Sequence, residues 1–224
     1  GDVSEDEYRS CRKFLANFVN EDRMGRIYST NYDLLLYWTL LQEFEDEEFT
    51  LVHNDGFFDQ RDEHHRQLSE ELTWQGKQEN QNIYYIHGAL HLFQGAGEIE
   101  KFSWKATGIP LIEQSRRALN VNKFPLFVSE GDSAKKFSRI MHNPYLYNSY
   151  ENFSAIVNGG RGPRVGNTCL FIHGLSFSDN DVHITSCISR GRIRHIFVSL
   201  FGNPDSEPNQ RIISKCETLQ ASRQ

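Results

Sequence analysis

The sequence is short of paired cysteines, of long apolar runs and of basic charge, and each shortage excludes a class of protein. Its four cysteines include no C-x-x-C pair, and in 224 residues they are too few for a disulfide framework. No stretch approaches about 20 apolar residues, so we expect no membrane span. The net charge of −6 argues against binding nucleic acid or a membrane surface, which needs clustered lysine and arginine.

The opening residues, from Gly1 to Glu7, include neither a basic segment nor an apolar one, so we expect no secretory signal. Together with the unpaired cysteines, this predicts a cytoplasmic protein, because that compartment is reducing. Hydrophobic residues make up 38% of the chain and aromatic residues 12%, which excludes a disordered chain.

Apolar runs of strand length alternate with segments of helical spacing. Ser4 and Glu7 match a capping box, and the apolar residues that follow predict a helix over 5–19. A Gly-rich turn at 94–97 predicts a hairpin between strands at 90–93 and 98–104. The other predicted strands are 26–29, 83–86, 125–129, 168–172 and 194–200, and the later predicted helices are 111–120, 133–141, 145–157, 179–189 and 208–220.

This alternation predicts an α/β fold, a three-layer Rossmann-like domain with a mostly parallel sheet, helices on both faces and a small β-hairpin insertion. The run 168–172 is expected to be the most buried strand. Parallel sheets bind ligands at the carboxyl ends of their strands. Polar clusters follow four predicted strands, at 29–33, 87–88, 129–131 and 173–181, so we expect the functional residues there.

Three of these strand-end segments, in order, resemble the sirtuin superfamily. Tyr28-Ser-Thr-Asn-Tyr-Asp33 is similar to its T-N-x-D segment, and Ile86-His-Gly88 is similar to its H-G motif, whose histidine is catalytic. Phe171-Ile-His-Gly-Leu-Ser-Phe-Ser-Asp179 is similar to its later G-x-S-x-x-D nucleotide loop. The resemblance covers about residues 26–202.

The chain departs from the family pattern in two places. It has no Gly-Ala-Gly-x-Ser loop ahead of residue 28, so the expectation is a single sirtuin-like domain over 1–224 that lacks its first strand and phosphate loop. It also has no zinc-ribbon cysteines, as in bacterial sirtuin-like NAD hydrolases. The resemblance therefore implies hydrolysis of NAD rather than deacylation of protein.

The activity implied is cleavage of the nicotinamide–ribose bond, which gives nicotinamide and ADP-ribose, as in bacterial defence effectors. NAD is then the substrate and no metal is expected; a defence-system protein or a second copy of the chain is the implied partner. The bond breaks through an oxocarbenium-like state, which needs groups that hold the ribose and position water. The implied catalytic residues are Asn31 and His87, and the implied nucleotide contacts are Thr30, Asp33, Gly88, Gly174, Ser176 and Asp179.

Each role has a chemical reason. The His87 imidazole can take a proton near neutral pH, and Asn31 can position water. Asp33 can bond ribose hydroxyls, and Gly88 lets the backbone approach the sugar without a Cβ. A helix that starts at Asp179 would favour the phosphates through its dipole, with Gly174 and Ser176 in the turn before it.

Simpler interpretations stay open. Asn31 and Asp33 are also preferred helix caps, and a histidine at a strand end is often structural. His87 and His91 are four apart, but on a strand this places them about 13 Å apart, so no metal pair is expected. The alternative functions are a module that senses NAD or ADP-ribose without turnover and, more weakly, an NAD-dependent protein deacylase.

Overall fold

The computed structural model describes residues 3–58, 71–95, 97–102, 109–129, 131–159 and 168–223. The chain divides into two compact units. The first unit comprises Gly1–Ser129 and Asn143–Ser149, and the second comprises Glu130–His142 and Tyr150–Gln224.

The first unit is built mainly from short strands. Its elements in chain order are α1 (Glu5–Leu15), β1 (Val19–Asn20), β2 (Arg23–Met24), β3 (Ile27–Ser29), α2 (Leu35–Leu41), β4 (Phe57–Phe58), β5 (Glu71–Trp74), β6 (Ile83–Tyr85), β7 (Gly88–Gln94), β8 (Ile99–Phe102), α3 (Leu111–Asn120) and β9 (Phe124–Phe127).

The second unit is richer in helix. Its elements are α4 (Ser133–His142), the later half of α5 (Pro144–Val157), β10 (Cys169–Ile172), a 3₁₀ turn (Asp179–Asp181), α6 (Val182–Arg190), β11 (His195–Val198) and α7 (Glu207–Ala221). The first half of α5 belongs to the first unit. No helix among the described residues is both long enough and apolar enough to cross a membrane.

Local signals predicted most of these elements correctly. The capping box at the start of α1 is present: the Ser4 hydroxyl accepts from the Glu7 N–H at 3.3 Å, and the Glu7 carboxylate accepts from the Ser4 N–H at 2.8 Å. The predicted helix over 111–120 matches α3 at both ends, and the predicted strand over 26–29 contains β3. The strands β4 and β5, which lie in a polar part of the sequence, were not predicted.

The largest sheet is antiparallel. Its order is β4-β5-β8-β7-β9, and β7 pairs with both β8 and β9 in antiparallel register. Phe93 from β7, Phe102 from β8 and Ala118 from α3 pack together beneath it and are buried. The helix α3 therefore meets the sheet through Ala118, whereas its Ile112 and Leu119 are exposed.

The predicted mostly parallel Rossmann-like sheet is therefore wrong. Parallel pairing among the described residues is confined to two separate pairs, β3 with β6 and β10 with β11. The predicted strand at 125–129 forms β9, but it pairs antiparallel with β7 of the hairpin. An apolar run indicates that a strand is buried, but it carries no information on the direction of its partner.

The run 168–172, which was predicted to be the most buried strand, forms β10 and is only partly buried. Ile172 is buried, but Phe171 beside it is 53% exposed, and Phe197, its partner across the pair, is 51% exposed. The two rings stack with their centroids 4.8 Å apart. The strand therefore has one covered face and one face that carries exposed aromatic rings.

Candidate functional site

The parallel pair β3–β6 brings two of the strand-end motifs to the same edge. Ser29 is in register with Tyr85, the last residue of β6. The Ile86 N–H donates to the Ser29 carbonyl at 2.9 Å, and the Leu90 N–H donates to the Tyr32 carbonyl at 2.9 Å. The loop at 30–33 and the loop at 86–88 are thus held together by backbone hydrogen bonds.

His87 lies at the centre of this edge, and its side chain is 3% exposed. Its Nδ1 is 3.1 Å from the Thr30 carbonyl oxygen. A carbonyl oxygen only accepts, so a hydrogen bond here requires Nδ1 to carry the proton. In the neutral ring this leaves the lone pair on Nε2, the nitrogen that can accept a proton or hold a water.

Asn31 and Asp33 lie on the same loop but in different surroundings. Asn31 is exposed, and its backbone N–H is held by the Ser29 hydroxyl at 3.1 Å. Asp33 is half-buried, and its Oδ1 accepts from the Leu35 N–H at 2.9 Å, at the start of α2. Asp33 is therefore not the N-cap, which is Leu34; its carboxylate bonds the first N–H of α2 from the position before the cap, whereas the Asn31 side chain is exposed to solvent.

The backbone geometry at Gly88 requires a glycine. Its φ is +75°, and a Cβ at this position would lie 2.1 Å from the Leu126 carbonyl oxygen, where β9 pairs with β7. The Val128 N–H also donates to the His87 carbonyl at 2.8 Å. The close approach of β9 therefore explains this glycine without any ligand.

The second unit has its own strand-end loop, after β10 and β11. His173 Nδ1 lies 2.9 Å from the Ser199 hydroxyl oxygen, which joins the ends of the two strands. Gly174 has a φ of +70°, and a Cβ there would meet nothing within 4 Å. Ser176 is exposed, so the Gly174–Ser176 turn is open to solvent.

The predicted helix start at Asp179 is only partly correct. Asp179 begins a single 3₁₀ turn, and the α-helix α6 starts at Val182. The Asp179 carboxylate is exposed and lies 3.5 Å from the Lys215 ammonium nitrogen. Because this turn leads directly into α6, the helical segment still begins at Asp179, and the nucleotide contact assigned to Asp179 stays a prediction.

Residues 1–224 match the model of a family described as a domain of unknown function, DUF4917. The chain belongs to this family. A comparison with curated proteins found no match. The description of DUF4917 names no activity and no ligand, so the resemblance to sirtuins and the roles assigned to the loop residues stay predictions.

This DUF4917 chain has a second polar cluster in its first unit that sequence reasoning missed. The Lys101 ammonium lies 2.6 Å from the Asp55 carboxylate, and both side chains are almost buried. Burial by itself would raise the pKa of Asp55, but the Lys101 charge outweighs it and holds the pKa below its usual value. The two residues are 46 apart in sequence, and no local signal connects them.

His91 belongs to the same cluster and is 1% exposed. Its ring stacks on Tyr37, with centroids 4.1 Å apart, and meets the edge of Tyr85 at 5.0 Å. Neither ring nitrogen has a hydrogen-bond partner among the described residues. Burial, reinforced by the Lys101 charge, lowers the pKa of His91 to about 3, so the ring stays neutral and acts as an aromatic core residue.

Proposed function

We propose that the protein hydrolyses NAD at the nicotinamide–ribose bond and releases nicotinamide and ADP-ribose. The observation that carries the proposal is the contact between His87 Nδ1 and the Thr30 carbonyl, at the edge where two sirtuin-like motifs meet. This contact favours a ring whose Nε2 can accept a proton. The neighbouring Asn31 side chain is exposed and can hold the attacking water.

The roles within the proposal follow from these positions. His87 acts as the base for water or for a ribose hydroxyl, and Asn31 orients the water. Asp33 keeps Oδ2 for a ribose hydroxyl while Oδ1 accepts from the Leu35 N–H. For Gly174, Ser176 and Asp179 in the second unit, the nucleotide contacts stay predictions that come from the sirtuin resemblance.

The proposal includes a cytoplasmic location and a role as an effector in bacterial defence. The location is supported by the four cysteines, all of which carry free thiols, as expected in a reducing compartment. The defence role and its partner, another defence protein or a second copy of the chain, come from the sirtuin resemblance alone.

The decisive experiment is NAD turnover by the full chain, with nicotinamide and ADP-ribose quantified by chromatography. His87→Asn keeps an amide N–H that can reach the Thr30 carbonyl but removes the basic Nε2. We expect it to lower the rate by about 10²- to 10⁴-fold. Asn31→Ala is expected to lower the rate comparably, since it removes the group that orients water.

The matched control is His142→Asn. His142 Nδ1 also lies near a backbone carbonyl, that of Ser138 at 2.6 Å, but its side chain is exposed on α4. Its turnover is expected to equal that of the wild type, with both variants giving wild-type circular dichroism. The proposal is contradicted if the wild-type protein leaves NAD intact, or if His87→Asn keeps full activity.

One observation favours a second function, binding without turnover. His87 is 3% exposed, and a general base must reach solvent or substrate. A sensor of NAD or ADP-ribose would be stabilised by its ligand while the ligand stays intact. Thermal unfolding with NAD, ADP-ribose or nicotinamide, followed by chromatography of the same samples, distinguishes the sensor from the hydrolase.

A further inference from the structure

The second unit contains a cavity of about 450 Å³ between its terminal helix and its parallel strand pair. This volume falls in the range of pockets that hold small organic ligands. One wall consists of inward-facing residues of β10 and β11, and the other consists of residues of α7. The apolar residues that line it include Phe177, Leu200, Ile212 and Ile213.

Three hydrogen bonds, from two side chains, show the direction of α7 along this cavity. Near the start of the helix, the Asn209 side-chain amide donates to the Phe201 carbonyl at 2.9 Å, just beyond the end of β11. Past its other end, the Arg223 guanidinium donates to the carbonyls of Ile188 and Ile193, just before β11 begins. The helix therefore runs antiparallel to the strands.

This direction places the charged lining at one end of the cavity, where Leu219 in the last turn of α7 also lies. Arg194 at the start of β11 lies at the same end as Glu217, Gln220 and Arg223 from the last turns of α7 and beyond. The opposite end is formed by Leu200, Phe177 and the isoleucines of the first half of α7. The cavity is thus apolar at one end and charged at the other.

Arg194 supplies the charge that selects the ligand. Its side chain is exposed, and none of the residues that the structure describes forms a hydrogen bond or ion pair with it. Arg223, by contrast, donates hydrogen bonds to two backbone carbonyls. The two arginines and Glu217 leave a net positive charge at this end, which complements an anion.

From this arrangement we infer that the second unit binds a small amphipathic carboxylate, with its apolar chain between α7 and the strand pair and its carboxylate on Arg194. A guanidinium is suited to a carboxylate because its parallel N–H groups match the two oxygens. The apolar walls carry too few polar groups to satisfy the hydroxyls of a sugar. This inference is independent of the proposed NAD hydrolysis.

The test measures binding of decanoate to the full chain by isothermal titration calorimetry, with decanamide as the uncharged probe. We expect saturable binding of one decanoate per chain and weaker binding of decanamide. Arg194→Gln is expected to weaken decanoate binding by roughly tenfold or more and to leave decanamide unchanged, because it removes a charge-assisted hydrogen bond.

Arg192→Gln is the matched control. Arg192 is also an exposed arginine just before β11, but it does not line the cavity, so decanoate binding should be unchanged. Ile213→Phe fills the apolar part and should abolish binding of both probes, with folding checked by circular dichroism. If it fails to fold, the ratio of decanoate to decanamide affinity in Arg194→Gln decides alone.

The inference is overturned if wild-type protein shows no saturable binding of decanoate, or if Arg194→Gln and Arg192→Gln weaken it equally. It is also overturned if NAD or ADP-ribose, rather than decanoate, is the compound whose binding Ile213→Phe abolishes. That last result would assign the cavity to a nucleotide instead.

Discussion

The two parallel strand pairs have the same local design and opposite surroundings. Each has an aromatic residue facing an aromatic partner in register, Tyr28 with Tyr84 in the first unit and Phe171 with Phe197 in the second. The Tyr rings stack at 5.1 Å and the Phe rings at 4.8 Å. Yet Tyr84 is 1% exposed, whereas both Phe rings are about half exposed.

The same contrast holds for the loops that follow each pair. In the first unit, His87 and Gly88 are buried against neighbouring strands, and Gly88 has a structural reason, whereas Asn31 and Tyr32 of the adjacent loop are exposed. In the second unit the loop at 173–176 is open, and the side chains there are not required for packing. A motif in a packed loop is therefore weaker evidence for function than the same motif in an open loop, because packing alone can account for it.

The largest difference in the loss of folding stability is expected between alanine substitutions at two glycines, Gly88 and Gly174, which both have positive φ. Gly88→Ala would force a Cβ into the backbone of β9, which cannot move without breaking the β7–β9 pairing, so the loss of stability should exceed about 4 kcal/mol. Gly174→Ala meets only the strain of its φ, about 1–2 kcal/mol. Chemical denaturation of both variants checks this.

The two units can be followed separately in that experiment. Trp38 and Trp74 belong to the first unit, and the sequence has no tryptophan after residue 104, so tryptophan fluorescence does not report on the second unit, which is followed by hydrogen exchange of α6 and α7. If the two glycine variants lose equal amounts of stability, strand β9 must shift to accommodate the added methyl group, which would contradict this prediction.

The next difference concerns one ion pair in each unit. Lys101→Met leaves the Asp55 carboxylate buried without its partner, which is expected to cost about 3–5 kcal/mol. Lys136→Met removes the ammonium from Asp181, but their separation is 3.3 Å instead of 2.6 Å, so about 1–2 kcal/mol is expected. Urea midpoints with the same unit-specific probes measure both losses, and a larger loss for Lys136→Met contradicts the comparison.

A smaller difference is expected between the aromatic pairs. Tyr84→Ala should cost about 3 kcal/mol because it opens a cavity in the core. Phe197→Ala should cost about 1 kcal/mol, mainly the loss of ring stacking, since much of the ring already contacts water. A cost near 3 kcal/mol for Phe197→Ala, measured by hydrogen exchange of α6, would show that this exposed face is buried in solution.

The smallest expected effect is a difference in acid sensitivity. The pKa of Asp55 is lowered in the folded state, so its contribution to stability is present above its unfolded pKa of about 4 and is lost as pH falls below that value. The double variant Asp55→Asn/Lys101→Met should lose less stability on acidification than the wild type. Urea midpoints at pH 6 and pH 3, about two units above and one unit below that pKa, make the test.

The local features of this protein followed from the sequence by itself. The capping box of α1, the bounds of α3, and the strands that precede the polar clusters at 29–33, 87–88 and 173–181 were all predicted, because each depends on residues within a few positions of one another. The adjacency of Thr30 and His87, suggested by strand ends, also appears in the structure.

Only the tertiary structure shows in which direction the strands pair and which contacts the loop residues make. Strand β9 paired with the hairpin in antiparallel register, Gly88 became a packing requirement, and Asp55 met Lys101 across 46 residues. Each of these outcomes depends on which segments far apart in sequence pack against each other. Composition and residue spacing do not determine that packing.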